Sequence, residues 1–333
     1  MSPVLVTGGN GYLGTQLVAA LLRDGREVRA TVRSTAREAG LRAAVRRGAA
    51  GQEGADDAGL EVVTADLMAD DGWKAAAAGC AEVHHVATPF PPVQPEDPDE
   101  LIVPARDGTL RVLRAARDAG ARRVVLTSSF AAIGYSPKPT ADFTEDDWTD
   151  PDTPGLPPYP KSKAIAERAA WDFIRSEGGS TELVVVNPTF ILGPTLTSEL
   201  RSSLQLVKGM LDGTLTTVRR QRFGVADVRD VAGLHIRAMA APGAAGRRFL
   251  CLCDGPTISF LDLAEILRRR LGPLAERVRV QEEAGQDPPP LVIHNERART
   301  ELGFRPRPLE TVIVESAESL RDLGLLAPLA DQA

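Results

Sequence analysis

The sequence predicts an α/β protein built on a doubly wound parallel sheet, with a smaller C-terminal α/β lobe. In the first half, short β-rich runs alternate with helical patterns. Those runs are almost continuously apolar, as strands buried on both faces are. A glycine-rich turn also joins the first run to the first helical pattern, the arrangement that opens a βαβ unit.

The elements follow in order. "PVLVT" (3 to 7) is the first strand, and an amphipathic helix over 12 to 24 follows its glycines. "EVRATV" (27 to 32) is the second strand. Residues 34 to 59, rich in Ala, Gly, Arg and Asp, predict one helix and then a mobile acidic loop around "GAAGQEGADDAG", without chemistry. "LEVVTA" (60 to 65), "EVHHVA" (82 to 87), "RRVVLTS" (122 to 128) and "ELVVVN" (182 to 187) are the next strands, separated by helices near 69 to 79, 99 to 119 and 160 to 178. After Asn187 the rhythm breaks. Helices are predicted near 198 to 212, 228 to 241, 259 to 271, 293 to 303 and 309 to 323, short strands near 216 to 225, and a further strand in "RRFLCLC". These predict a sheet domain of residues 1–187 and 226–253, and a second lobe of 188–225 and 254–330 roofing the strand ends.

Thirty-nine Lys and Arg against 45 Asp and Glu give a net charge of -6 with no basic block, which argues against nucleic acid as partner. No stretch approaches the roughly 20 apolar residues that span a bilayer, and the first residues lack a basic leader with an apolar core, so a cytoplasmic protein is expected. Cys80, Cys251 and Cys253 are too few for a disulfide framework and read as buried thiols. His84 and His85 are strand neighbours that face opposite ways and cannot chelate one ion. No metal site is expected.

"VLVTGGNGYLG" carries Gly8, Gly11 and Gly14. Glycines let such a turn close and let a pyrophosphate approach the backbone, while the helix N-terminus offers unpaired N–H groups and the positive end of its dipole. Gly8, Gly11, Tyr12, Leu13 and Gly14 are therefore candidate dinucleotide contacts in a Rossmann-type unit. The end of the second strand, where an NAD enzyme places an acid for the ribose 2′-hydroxyl, carries Arg33, with Arg37 one turn on. A guanidinium there suits a 2′-phosphate, so NADP(H) is favoured over NAD(H). Asp66 and Leu67, after the third strand, are candidate adenine contacts.

Ser128 and Ser129 end the fifth strand, at the edge where open α/β sheets hold ligands. In "PPYPKSKAIAERAAW" Tyr159 and Lys163 stand four apart at the head of a helix and so share one face. A phenol with an ordinary pKa of about 10 needs about 4 kcal/mol to titrate near neutrality. An ammonium about 4 Å away at an effective dielectric of about 20 supplies that much. On spacing alone the pair could be an acid–base couple or packing residues.

Together "VTGGNGYLG", "ATVR", "ADL", "VHHVATPF", "GTLRVLRAA", "RRVVLTSS", "YPKSKAIAERAAW", "NPTFILGP", "VADVRDVAGLHI" and "NERARTELGFRPRPLE" resemble the extended short-chain dehydrogenase/reductases over nearly the whole chain. Within them the chain is most similar to the branch of dihydroflavonol 4-reductases, cinnamoyl-CoA reductases and NADPH-dependent aldehyde or ketone reductases. The resemblance implies Ser129 as the hydroxyl that holds a carbonyl oxygen, Tyr159 as proton donor, and Lys163 as the group that binds the nicotinamide ribose and lowers the phenol's pKa. It also implies cofactor contacts from Val86, Ala87, Thr88, Pro188, Thr189, Phe190, Ile191 and Ser203. Pro89, Phe90, Ala131, Tyr135, Phe190, Met210 and Phe223 are expected to frame the substrate. Many relatives carry Asn where this chain has Asp107, so a proton relay through that position would differ here.

The implied activity is NADPH-dependent reduction of an aldehyde or ketone to an alcohol by a monomer or homodimer with a small-molecule substrate. A hydroxysteroid-type or other alcohol dehydrogenase differs only in substrate. A sugar-nucleotide epimerase or dehydratase would use the same Tyr and Lys and bind a diphosphate through cations such as Arg201, Arg219, Arg220 and Arg222. A non-catalytic NADP(H) sensor is the remaining alternative.

Overall fold

The computed structural model describes residues 2–48, 57–89, 97–200 and 203–328. The chain runs β1 (Val4–Thr7), α1 (Tyr12–Arg23), β2 (Val28–Val32), α2 (Glu38–Gly48), β3 (Leu60–Thr64), α3 (Trp73–Ala77), β4 (Glu82–His85), α4 (Asp99–Asp118) and β5 (Arg123–Thr127). It continues through β6 (Asp142–Phe143), α5 (Pro158–Glu177), β7 (Glu182–Pro188), β8 (Phe190–Leu192), α6 (Ser203–Leu211), β9 (Thr217–Val218), β10 (Arg222–Phe223), β11 (Val225–Asp227) and α7 (Val228–Ala240). The last elements are β12 (Arg248–Cys251), β13 (Ile258–Ser259), α8 (Phe260–Leu271), β14 (Gln281–Glu282), β15 (Val292–Ile293), α9 (Glu296–Leu302) and α10 (Leu309–Asp322).

Seven strands form one sheet in the order β12-β7-β5-β4-β1-β2-β3, and every pairing within it is parallel. One face, including Val4, Val6, Val125 and Val184, buries Leu17 and Val18 of α1 and Val231 of α7. The other, including Leu5, Val83, Val124 and Val185, buries Val112 and Leu113 of α4 and Phe173 of α5. Apolar side chains on both faces are why these strands read as unbroken hydrophobic runs. β4 shows the alternation directly. His84 lies against the His235 ring of α7, with centroids 5.6 Å apart, whereas His85 Nδ1 is bonded to Thr7 Oγ1 at 2.8 Å.

Strand order reverses between β1 and β4, so the chains leaving those two strands part and open a crevice at their C-terminal ends. The segments after Leu192 pack into a separate core, in which α6, α8 and α10 contribute Leu204, Val207, Met210, Leu263, Leu267, Val312 and Ile313. Short pairs accompany it: β8 with β11, β10 with β13, and β9 with β14.

Two boundaries differ from the sequence reading. The helix expected over 69 to 79 is only α3, because Gly72 enters it with φ 86° and Gly79 leaves it with φ 72°, both in the left-handed region. Glu38 to Gly48 form the helix expected after the second strand, but most of the acidic loop, residues 49–56, lies outside the described residues.

Candidate active site

A cleft of about 1430 Å³ runs along the C-terminal ends of the sheet strands and under the second group of helices. At its β1 end the glycine turn is set by close approaches. Gly8 adopts φ 66°, and a Cβ there would come within 3.0 Å of Ala87. A Cβ on Gly14 would stand 2.2 Å from the Gly8 carbonyl oxygen. Gly8 N donates to Thr31 Oγ1 at 3.0 Å and Gly9 N to the Thr31 carbonyl at 2.9 Å, which ties the turn to β2. Thr7 Oγ1 accepts from the amides of Val86 and Ala87 at 3.1 Å, which fixes the chain leaving β4. No side chain caps the N-terminus of α1, so its first amides face the cleft without a side-chain partner. A Gly14→Ala substitution is expected to cost about 1–3 kcal/mol, the usual range for overpacking. It should also abolish dinucleotide binding, as read by thermal melting with and without cofactor; a wild-type cofactor-induced shift would refute the cradle.

The expected residues fall mostly around this cleft. Gly8, Gly11, Tyr12, Leu13, Gly14, Arg33, Asp66, Leu67, Val86, Ala87 and Thr88 line it toward β1 to β4. Arg33 is exposed and makes no hydrogen bond or ion pair with any described residue. Arg37, expected beside it, is not in the wall; its guanidinium is paired with the Glu199 carboxylate, which does line the cleft. Asp66 accepts from the Met68 amide at 3.0 Å through one carboxylate oxygen. The Tyr12 hydroxyl donates to the Gly193 carbonyl at 2.6 Å and so joins α1 to the chain after β8.

Ser129, Tyr159 and Lys163 meet in the middle of the cleft. Ser129 caps a single 3-10 turn, Phe130–Ala132, and its Oγ accepts from the Ala131 amide at 3.1 Å. Its hydroxyl is close enough to the Tyr159 phenol to draw that group's pKa downward. Tyr159 sits in the first turn of α5 behind Pro157 and Pro158, whose fixed φ suits a helix start. Lys163, one turn on, donates to Thr88 Oγ1 at 3.1 Å, and its Nζ is 5.8 Å from the Tyr159 ring centre.

The electrostatics correct one expectation. Burial holds the Tyr159 phenol above its ordinary range; the Ser129 hydroxyl opposes this and nearby Tyr135 adds to it. Lys163 does not pull the phenol down, because its ammonium is turned toward Thr88 and desolvation is the larger effect. Burial lowers Lys163 itself to about 8, against a smaller upward pull from Glu167.

Pro188, Thr189, Phe190, Ile191 and Ser203 line the same cleft, and the Ser203 hydroxyl donates to the Ile191 carbonyl. Of the residues expected to frame a substrate, Pro89, Ala131, Tyr135, Phe190 and Phe223 line it, and Phe90 lies outside the described residues. Met210 is corrected: it is 0% exposed on the inner face of α6, packed among apolar side chains away from the cleft. Asp107 is bonded to Arg106 Nε at 2.8 Å and does not line the cleft.

Sequence reasoning missed the proline-bearing walls. Segments 136–141, 153–157 and 288–291 all line the cleft, together with Gln221 and Arg222. The signal was present as the proline-rich "SPKPT", "TPGLPP" and "DPPPL". A proline with fixed φ makes a stiff wall without needing regular structure around it.

A parallel sheet with a glycine cradle at its switch point, and Ser, Tyr and Lys side chains lining the cleft beyond it, defines an α/β protein of the dinucleotide-binding class. Residues 4–251 match the model of the NAD dependent epimerase/dehydratase family. The chain belongs to that family, the extended short-chain dehydrogenase/reductases. It is 34% identical over 328 residues to the cinnamoyl-CoA reductase CAD2 of Medicago truncatula, covering 96% of this chain and 95% of that protein. It is 31% identical over 339 residues to an anthocyanidin reductase of Vitis vinifera, covering 96% of each. The structure resembles that of yeast methylglyoxal/isovaleraldehyde reductase Gre2 complexed with NADPH, with a TM-score of 0.82 and 25% identity over 97% of this chain and 100% of the other.

Proposed function

We propose that the protein is an NADPH-dependent reductase of apolar aldehydes or ketones, with Ser129, Tyr159 and Lys163 as its catalytic residues. The observation that carries this reading is the grouping of Ser129, Tyr159 and Lys163 in one cleft, between the glycine cradle and apolar walls.

The residues present fit the dinucleotide. The turn Gly8 to Gly14 is closed tightly enough that Cβ atoms at Gly8 and Gly14 would clash with Ala87 and the Gly8 carbonyl, the amides of α1 suit a pyrophosphate, and Arg33 suits a 2′-phosphate. Lys163 would hold the nicotinamide ribose, and Pro188 to Ile191 would line the nicotinamide. When bound, NADPH supplies the two electrons that reduce the carbonyl carbon. Ser129 and Tyr159 hold the carbonyl oxygen as it gains charge, and the Tyr159 phenol gives it a proton. The surrounding prolines, Phe190 and Phe223 exclude water and favour an apolar substrate.

The sugar-nucleotide reading is weaker, because two of the four cations it would use are engaged; Arg219 is exposed and has no such partner among the described residues, and Arg201 lies outside them. Arg220 is paired with Glu282 and Asp287, and Arg222 donates to the Thr257 carbonyl at 2.6 Å.

The test follows NADPH and NADH consumption with a panel of aldehydes, ketones and dicarbonyls. The expected result is turnover with NADPH preferred. Arg33→Ser should reduce the NADPH to NADH preference about 10- to 100-fold, the scale of one or two charge-assisted hydrogen bonds. Arg37→Ser should change it by less than about threefold, since Glu199 already holds that guanidinium. An unchanged preference in Arg33→Ser would sink the phosphate assignment; cofactor binding with no turnover on any carbonyl would sink the reductase.

A further inference from the structure

Behind the acid–base cluster lies a buried carboxylate that the reaction as described does not use. Glu167 is on α5, one turn beyond Lys163 and two beyond Tyr159, so all three occupy one helix face. Its side chain is 0% exposed. Oε2 accepts from Ser128 Oγ at 2.5 Å and Asn187 Nδ2 at 2.8 Å. Oε1 accepts from Arg248 Nε at 2.6 Å and Trp171 Nε1 at 3.3 Å. One carboxylate therefore joins α5 to three adjacent strand positions: the end of β5, β7 and the start of β12.

The partners lead back to the site. Ser128 immediately precedes Ser129, and Asn187 Nδ2 also donates to the Ser129 carbonyl at 3.2 Å. Asn187 in turn precedes the segment Pro188 to Ile191. Arg248 is fixed independently: it is stacked 3.8 Å over the Trp148 ring and donates to the carbonyls of Glu145 and Asp147 at 2.8 and 2.7 Å. A buried ion pair is weak evidence for stability, since an apolar pair of similar volume commonly serves as well. What this pair supplies is geometry: four donors from separate elements converge on two oxygens.

We propose that Glu167 is a positioning residue of the reduction, whose carboxylate sets the distance between the helix that carries Tyr159 and Lys163 and the strand end that carries Ser129. Its charge has a second effect. The titratable groups facing Lys163 are Tyr159 and Glu167 on its own helix and His85 on β4, which burial lowers to about 3 and so keeps neutral. Glu167 is thus the carboxylate that favours the ammonium form of Lys163.

This inference rests on the assignment of Tyr159 and Lys163 above, so the test compares wild type, Tyr159→Phe, Glu167→Gln and the double variant Glu167→Met, Arg248→Met. A glutamine can accept at only one of its two terminal atoms, so part of the four-way contact is lost. Glu167→Gln is expected to lower kcat roughly 10- to 100-fold, as displacement of reacting groups does. The KM for NADPH should stay within about threefold. The alkaline fall in activity should move to lower pH as Lys163 loses its neighbouring negative charge.

Because the glutamine leaves Arg248 facing a neutral partner, the double variant tests the same point with the pair replaced by apolar groups. It should keep its near-UV circular dichroism and melting temperature yet share the kcat loss and the shifted alkaline limb. Full kcat in either folded variant, or a kcat loss with an unmoved alkaline limb, overturns the proposal alone. Wild-type turnover in Tyr159→Phe overturns both it and the assignment beneath it.

Discussion

Tyr159→Phe is expected to lower kcat for carbonyl reduction about 1000-fold, within the range a positioned general acid contributes. The physical basis is the state of the phenol. Burial holds its pKa above the ordinary range, so at neutral pH it carries its proton and can donate one. A reductase requires that form; an enzyme working toward oxidation would need the phenolate. The substitution leaves the ring in place and removes only the hydroxyl, so Ser129 alone would hold the carbonyl oxygen. NADPH affinity by fluorescence titration should be nearly unchanged, and the loss should appear in single-turnover rates. Equal loss of binding and turnover would show that the residue acts by packing.

Lys163→Met should lower kcat/KM about 100-fold and weaken NADPH binding, since it removes both a charge and a ribose contact. The decisive measurement is the pH profile. In the fold the Lys163 value of about 8 lies below the ordinary lysine range, because burial disfavours the ammonium. The ammonium is therefore present below that value and lost above it. Wild-type reduction should run level through neutrality and decline as pH rises through about 8. Tyr159, raised rather than lowered, titrates later and cannot be the source of that limb. In Lys163→Met the limb should vanish. If it persists at the same pH, another group is titrating.

Much of this arrangement was legible in the sequence because the elements that build it are local. The six strand runs of the first half matched six sheet strands, since buried parallel strands leave an unbroken apolar signature. The glycine cradle was legible because Gly14 is required by the Gly8 carbonyl within the same turn and Gly8 by its positive φ, although the Ala87 contact that also demands Gly8 comes from another strand end. Strand-end position and helical spacing made Ser129, Tyr159 and Lys163 candidates, the family resemblance singled them out, and all three line the same cleft.

What stayed hidden depends on distant partners. Whether Arg37 is available is decided by Glu199, 162 residues away, and nothing near Arg37 announces that. Met210 has the apolar character of a pocket residue, but the face of α6 that turns inward is chosen by α8 and α10. The phenol's pKa was misjudged because spacing gives the Tyr–Lys separation along the helix, whereas the direction of the Lys163 ammonium is set by Thr88 on another segment. Glu167 sat within a quoted motif, yet three of its four donors, Ser128, Asn187 and Arg248, come from other parts of the chain.

The edge strand β12 has a further consequence for how the protein is made. Its partner β7 ends at Pro188, but β12 does not begin until Arg248. On a ribosome, everything between them is synthesised before the sheet can close. Until then β7 is an open edge, and Glu167 lies in an apolar interior without its cation. A nascent chain stopped before residue 248 therefore leaves β7 unpaired on one side and Glu167 without Arg248.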